Sequence, residues 1–198
     1  MDKIYEIINS VRENAKKNKV PIVRDKTLNA LIDTCIKHNV KNVLEIGTAT
    51  GYSGLNLLTV ADKVTTIEKN ILRFEEAKQN FENANVGERV KQVCGDAGIE
   101  LEELARQDEK FDLIFLDGPK GQYVRYLPSI MQLLNQGGIL FADNILLGGL
   151  IKQPSRVTHK NRAMYNNMLA FWSEIQGLDC LTTKIYEIED GFSISTKQ

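Results

Sequence analysis

Cysteine is scarce in this chain of 198 residues: Cys35, Cys94 and Cys180 are odd in number, far apart and set in apolar or strand-like contexts, with no Cys-x-x-Cys pair. That argues against a disulfide scaffold and predicts a reduced, intracellular protein. No run approaches the roughly 20 apolar residues that a membrane span needs, and residues 1–10 contain no long apolar stretch. A soluble, cytoplasmic protein without membrane contact is the expectation. An excess of either charge is missing too, with 25 Lys and Arg against 26 Asp and Glu. Global charge therefore neither drives the chain onto nucleic acid nor keeps it away, and only local clusters carry information. Repeats and low-complexity tracts are also absent.

What is present is enough apolar material, 42% of residues, for one sizeable core. Ile4, Ile7, Ile8 and Val11 recur at helical spacing, and residues 27–38 repeat the pattern through Leu28, Leu31, Ile32 and Cys35. After that the period changes. Short apolar runs at 42–46, 64–67, 90–94, 113–116 and 139–142 read as strands, separated by helical patterns at 52–58, 71–84, 99–105 and 123–134. Such alternation predicts a parallel sheet covered on both faces. A further helix over 162–175 leads to strands at 181–188 and 192–196 with only Glu189, Asp190 and Gly191 between them, hence an antiparallel hairpin. The expected fold is α/β: one doubly wound domain over 1–198 with a mostly parallel seven-stranded sheet, a terminal hairpin and a helical extension over 1–38.

The first strand runs into Glu45-Ile46-Gly47-Thr48-Ala49-Thr50-Gly51-Tyr52-Ser53-Gly54. Small residues there let the backbone turn tightly and approach a ligand before a helix begins. The spacing is Gly-x-x-x-Gly-x-x-Gly, not the Gly-x-Gly-x-x-Gly of a dinucleotide pyrophosphate site. With no Tyr-x-x-x-Lys pair either, a nicotinamide oxidoreductase is disfavoured. Glu68 ends the second strand, where a carboxylate can accept hydrogen bonds from both ribose hydroxyls of a nucleoside. Gly95-Asp96-Ala97 follows the third and is placed to meet an adenine edge. Glycine turns and acids at strand ends are common singly; in order on successive strands they point to a nucleoside.

Two more acids follow strands four and five, in Leu116-Asp117-Gly118-Pro119-Lys120 and Ala142-Asp143-Asn144. Parallel strands put both on one edge of the sheet. Asp117, Asp143 and the Asn144 amide are hard oxygen ligands that suit Mg²⁺, and no His or Cys stands nearby to suggest zinc. Read alone, the same residues also suit a turn and a helix cap.

With these motifs in view, the chain resembles the S-adenosylmethionine-dependent methyltransferases that include catechol and caffeoyl-CoA O-methyltransferases, well over 20–149 and loosely beyond. The resemblance implies a Rossmann-like methyltransferase fold and an S-adenosyl-L-methionine site formed by Val23, Glu45, Gly47, Tyr52, Ser53, Glu68, Asp96, Ala97 and Asp117. It also implies Mg²⁺, or another hard divalent cation, on Asp117, Asp143 and Asn144, and a homodimer; the N-terminal apolar face and the region of Trp172 suit such an interface or, equally, packing on the chain's own domain. Lys120, three residues after Asp117, matches a substrate-facing lysine and is the candidate general base; the bland alternative is a surface lysine.

Catechol enzymes of the family place a glutamate on the substrate side where this chain has no acid from Asn144 to Ser173, and Lys152, Arg156, His159, Lys160 and Arg162 cluster instead. The run Asp117-Gly118-Pro119-Lys120-Gly121-Gln122-Tyr123 is similar to the bacterial branch that methylates 5-hydroxyuridine at the tRNA wobble position. The expected partner is therefore tRNA, with a small phenolic or CoA-linked acceptor as alternative and a non-catalytic donor- or RNA-binding module as a distant third. Arg12, Lys16, Lys17, Lys19, Arg24 and Lys26 offer further phosphate contacts or, equally, a solvated helix face.

Overall fold

The computed structural model describes residues 2–198, and Met1 lies outside the described residues. The elements run α1 (Asp2–Lys17), α2 (Asp25–Lys37), β1 (Asn42–Ile46), α3 (Tyr52–Leu57), β2 (Lys63–Glu68), α4 (Ile71–Asn83), β3 (Val90–Cys94) and α5 (Ala97–Arg106). They continue with β4 (Phe111–Leu116), α6 (Tyr123–Leu133), β5 (Leu134–Asp143), α7 (Arg162–Gly177), β6 (Leu181–Tyr186) and β7 (Phe192–Lys197). One seven-stranded sheet results, in the order β3-β2-β1-β4-β5-β7-β6. β1 to β5 are parallel, and β7 enters antiparallel to both β5 and β6. Among the described residues no helix is long and apolar enough to cross a membrane.

The alternation of side chains along a strand divides the core in two. Val43, Val64, Leu113, Phe115, Ile139 and Phe141 face one apolar cluster, with residues of α1, α2, α3 and α4. Leu44, Ile46, Ile67, Ile114, Leu116, Leu140 and Ala142 face the other, with α5, α6 and α7. The expected doubly wound sheet with a terminal hairpin is thus the one found.

Several boundaries differ from the sequence reading, most of all at β5. Leu134 begins β5 instead of closing α6, and β5 is longer than expected because a register shift lets Phe111 pair with Leu134 while Leu113 pairs with Ile139. Glu187 and Ile188 belong to the hairpin turn, not to β6. The surfaces assigned to a dimer are also used within the chain. Ile8 and Val11 of α1 are buried in the first cluster, and Trp172 packs against the second while its indole N–H donates to the Ile145 carbonyl at 3.2 Å.

The hairpin turn also supplies a cap that α2 lacks. Arg24 stands at the N-cap position and its side chain caps nothing. Glu189 instead accepts from the backbone N–H groups of Lys26 at 3.3 Å and Thr27 at 2.9 Å, and from the Thr27 hydroxyl at 2.9 Å. A carboxylate at this end also suits the helix dipole. Replacing Glu189 by Ala is expected to lower stability by about 0.5–2 kcal/mol, the usual worth of a cap, and to speed amide exchange at Lys26 and Thr27. Unchanged exchange at those two amides would show that the cap is not what holds the helix start.

Candidate functional site

The parallel ladder runs one step beyond each strand. The N–H of Gly47 donates to the Ile67 carbonyl at 3.0 Å, that of Gly95 to the Glu68 carbonyl at 3.0 Å, and that of Asp117 to the Ile46 carbonyl at 3.1 Å. The residues that leave the strands are therefore stitched side by side along the carboxyl edge. β1 and β4 come closest: a Cβ on Gly47 would sit 2.6 Å from the Asp117 carbonyl oxygen, and its φ of +104° is one that side-chain-bearing residues rarely adopt. Only glycine fits there.

Above this edge opens a cavity of about 610 Å³, within the roughly 300–1,000 Å³ typical of small-molecule sites. Of the residues expected to surround a methyl donor, Val23, Gly47, Glu68, Asp96, Ala97 and Asp117 line it. So do Lys120, Asp143 and Asn144. Glu45, Tyr52 and Ser53 are buried and are not among the residues that line the cavity. Tyr52 belongs to the apolar core. Ser53 donates its hydroxyl hydrogen to Glu45, which also accepts from the Thr66 hydroxyl at 2.6 Å; Thr66 in turn lies 2.5 Å from the Thr48 hydroxyl. Glu45 is thereby a buried brace between β1, β2 and the glycine loop.

Glu68 is held differently. Its two oxygens accept from the Ala49 N–H at 2.9 Å and the Asn70 N–H at 2.8 Å. Each oxygen keeps a lone pair, so the fixed carboxylate can receive two neighbouring hydroxyls. Asp96 caps α5 through the Gly98 N–H at 3.0 Å and pairs with Lys69 at 2.9 Å. The Lys69 ammonium beside it holds its carboxyl below the usual range.

At the other end of the cavity, Lys120 Nζ donates to Asp117 Oδ1 at 2.6 Å. Asp143 is 2% exposed and accepts from the Asn144 N–H at 2.6 Å. Burial first, and then the charge of Asp117, push its carboxyl up to about 7. Asn144 takes a left-handed φ of +56°, which asparagine tolerates better than most residues. Among the described residues no three His, Cys, Asp or Glu side chains form a metal-binding group. An ion here would rest on two carboxylates, the Asn144 amide and oxygens from water or acceptor, a set that fits a hard divalent cation because it relieves the crowding of Asp117 and Asp143.

Sequence reasoning missed several lining residues: Lys19, Arg24, Asn70, Arg73 and Tyr126. A signal existed for two of them. Asn70 caps α4 immediately after Glu68, accepting from Leu72 and Arg73, which brings the first turn of that helix to the mouth. In the sequence Lys19 and Arg24 suit phosphate contacts or, equally, a solvated helix face.

A family model described as O-methyltransferase matches residues 4–198. The chain belongs to that family. It is an S-adenosylmethionine-dependent O-methyltransferase. Among its relatives, the catechol O-methyltransferase of Mycobacterium tuberculosis is 31% identical over 160 residues, 78% of this chain and 71% of that one. A candidate caffeoyl-CoA O-methyltransferase from Staphylococcus aureus superposes with a TM-score of 0.89 at 33% identity, covering 96% of this chain and 92% of the other. An O-methyltransferase of Bacillus cereus, solved with S-adenosylhomocysteine, shares the fold at a TM-score of 0.88 and 22% identity over 98% and 91% of the two chains.

In this O-methyltransferase, burial pushes the Glu45 carboxyl up to about 7, opposed by the hydrogen bonds from Ser53 and Thr66. The unfolded chain releases that proton near 4.5. Between those values the folded chain holds a proton the unfolded chain has lost, so Glu45 makes stability fall as pH rises through the window. In Glu45→Gln this slope disappears, by an amount on the order of 3 kcal/mol across the window. Urea midpoints compared from pH about 5 to about 8 test it, and parallel profiles for the two proteins would refute it.

Proposed function

We propose that this O-methyltransferase is divalent-metal-dependent and methylates the 5-hydroxyl of 5-hydroxyuridine at the tRNA wobble position, giving 5-methoxyuridine. One observation carries the reading: a crowded pair of acids, Asp117 and Asp143, opens directly into a stretch, 144–173, that holds no acid and presents exposed Lys152, Arg156, His159, Lys160 and Arg162. Lys152 is paired with Glu187 at 2.5 Å, whereas Arg156, Lys160 and Arg162 make no ion pair among the described residues. Free cations beside the acceptor position suit a phosphate backbone. The N-terminal cations contribute less than the sequence implied, since Arg12 is bound to Asp25 and Lys16 to Glu13.

In this scheme Glu68 receives the ribose hydroxyls of the donor, Asp96 and Ala97 take its adenine edge, and Val23 and Gly47 complete the wall. Glu45, Tyr52 and Ser53 support that wall from behind. Asp117, Asp143 and Asn144 would hold a divalent cation, which would supply acidification of an acceptor hydroxyl; a 5-hydroxyuracil ring offers two adjacent oxygens to such a site. Lys120, in its neutral amine form, takes the hydroxyl proton, the acceptor oxygen attacks the methyl carbon in line, and the carbon–sulfur bond breaks with its electrons passing to sulfur. Alignment of oxygen and methyl lowers the barrier by about 7–11 kcal/mol in favourable cases.

A small catechol-like or CoA-linked phenolic acceptor is the second reading, favoured by the names of relatives such as the catechol and caffeoyl-CoA O-methyltransferases. Incubating tRNA that contains 5-hydroxyuridine with donor and Mg²⁺, followed by mass spectrometry of its nucleosides, separates the two when catechol and caffeoyl-CoA run in parallel. The expected product is 5-methoxyuridine; its absence alongside a methylated phenol would transfer the assignment to the second reading. Asp143→Ala is expected to lose turnover and keep S-adenosylhomocysteine affinity near the parent's. Methylation by that variant at the parental rate without metal would end the metal-dependent scheme.

A further inference from the structure

Tyr123 opens α6 three residues after Lys120 and is fully buried in the second apolar cluster, outside the cavity lining. A tyrosine there, where phenylalanine would fill nearly the same space, needs a use for its hydroxyl, because a buried hydroxyl without a partner is costly. The hydroxyl has two partners. It lies 2.9 Å from the carbonyl oxygen of Leu116 and 3.1 Å from that of Asp143. The first carbonyl precedes Asp117 and the second belongs to Asp143, so one proton is shared between the two backbones that carry the acidic pair.

The strand pairing gives this bridge its importance. Leu116 opposite Ala142 is the last pair of the β4–β5 ladder. Beyond it the chains turn to other neighbours: the Asp117 N–H bonds to β1 at Ile46, and Asp143 pairs with Phe192 of β7. The Tyr123 hydroxyl is what spans the gap at the level of the two carboxylates. Its ring does a second job, meeting Phe171 edge-on at a centroid separation of 5.4 Å and placing its face 5.5 Å from Lys120 Nζ. That contact is a cation–π arrangement within the usual 6 Å reach.

We infer that Tyr123 is a positioning residue of this O-methyltransferase: its hydroxyl ties the ends of β4 and β5 together and so sets the spacing of Asp117 and Asp143, while its ring seats Lys120. The inference rests on the metal-dependent reading above. It is the backbone counterpart of the outer hydrogen bonds that orient metal ligands.

Tyr123→Phe isolates the hydroxyl, since the contacts with Phe171 and Lys120 survive. Direct titration of parent and variant with Mn²⁺, alongside S-adenosylhomocysteine titration, is the test. The variant is expected to bind Mn²⁺ about 10–100-fold more weakly and S-adenosylhomocysteine within about twofold of the parent, with lost turnover returning as metal is raised. Equal Mn²⁺ affinity in both proteins would overturn the inference. A parallel loss of donor affinity and melting temperature would do so as well, by showing a merely structural role. A parent that takes up no Mn²⁺ would defeat the metal reading itself and the inference with it, and the parental titration alone reports that case.

Discussion

The rest of the site depends on how closely β1 and β4 approach at their carboxyl ends. At Gly47 a single added carbon would collide with the Asp117 carbonyl. β1 and β4 are also where the strand order reverses, so the chain leaves them toward opposite faces: α3 sits with the first core cluster and α6 with the second. A crevice opens at such a point in any doubly wound sheet. Here the missing side chain draws its walls together, and the hydrogen bonds that continue past each strand hold them there.

Closeness at the edge concentrates negative charge. Glu45, Glu68, Asp96, Asp117 and Asp143 all stand on or just beneath it. Glu45 and Asp143 are pushed up chiefly by burial, and Asp117 adds to both. The fold stabilises some of these acids by internal donation: Ser53 and Thr66 to Glu45, backbone N–H groups to Glu68 and Asp96, Lys120 to Asp117. A donor that carries a sulfonium therefore meets Glu68, Asp96, Asp117 and Asp143 in the wall, interleaved with Lys19, Arg24, Lys69, Arg73 and Lys120. Whatever binds the folded chain and not the unfolded one also stabilises it, so the strain of crowded acids is offset when the site fills.

Strands and helices were legible because each obeys a local rule. The change from a period of 3.6 to runs of four or five apolar residues located β1 to β4, and Asp117 and Asp143 followed from their places just after strands, whereas Lys120 followed from the family resemblance. What escaped was set by partners distant in sequence. Nothing local distinguishes Glu45, which turns inward to Ser53 and Thr66, from Glu68, which faces the cavity; both are acids on a strand. The start of β5 at Leu134 depends on Phe111, and the role of Glu189 depends on a helix that begins more than 160 positions earlier. Ion pairing removed Arg12 and Lys16 from the free cations for the same reason.

The hairpin turn joins the two halves of the cavity. Glu189 holds the start of α2, next to the residues from Val20 to Arg24 that form one wall. Asp190 and Gly191 accept from Leu146 at 2.9 Å and Ile145 at 3.0 Å, and the Asp190 carboxylate accepts from the Gly148 N–H at 2.6 Å, which fixes the chain that leaves Asn144. The turn itself is anchored through β7, whose Phe192 is in register with Asp143. The segment before α2 and the loop after Asn144 are thus both referenced to the strand that carries Asp143. Methyl transfer needs oxygen, carbon and sulfur in line, and a displacement of about 1 Å can cost on the order of 10²-fold in rate. Two walls tied to one strand pair share one frame of reference, which is what an in-line transfer requires.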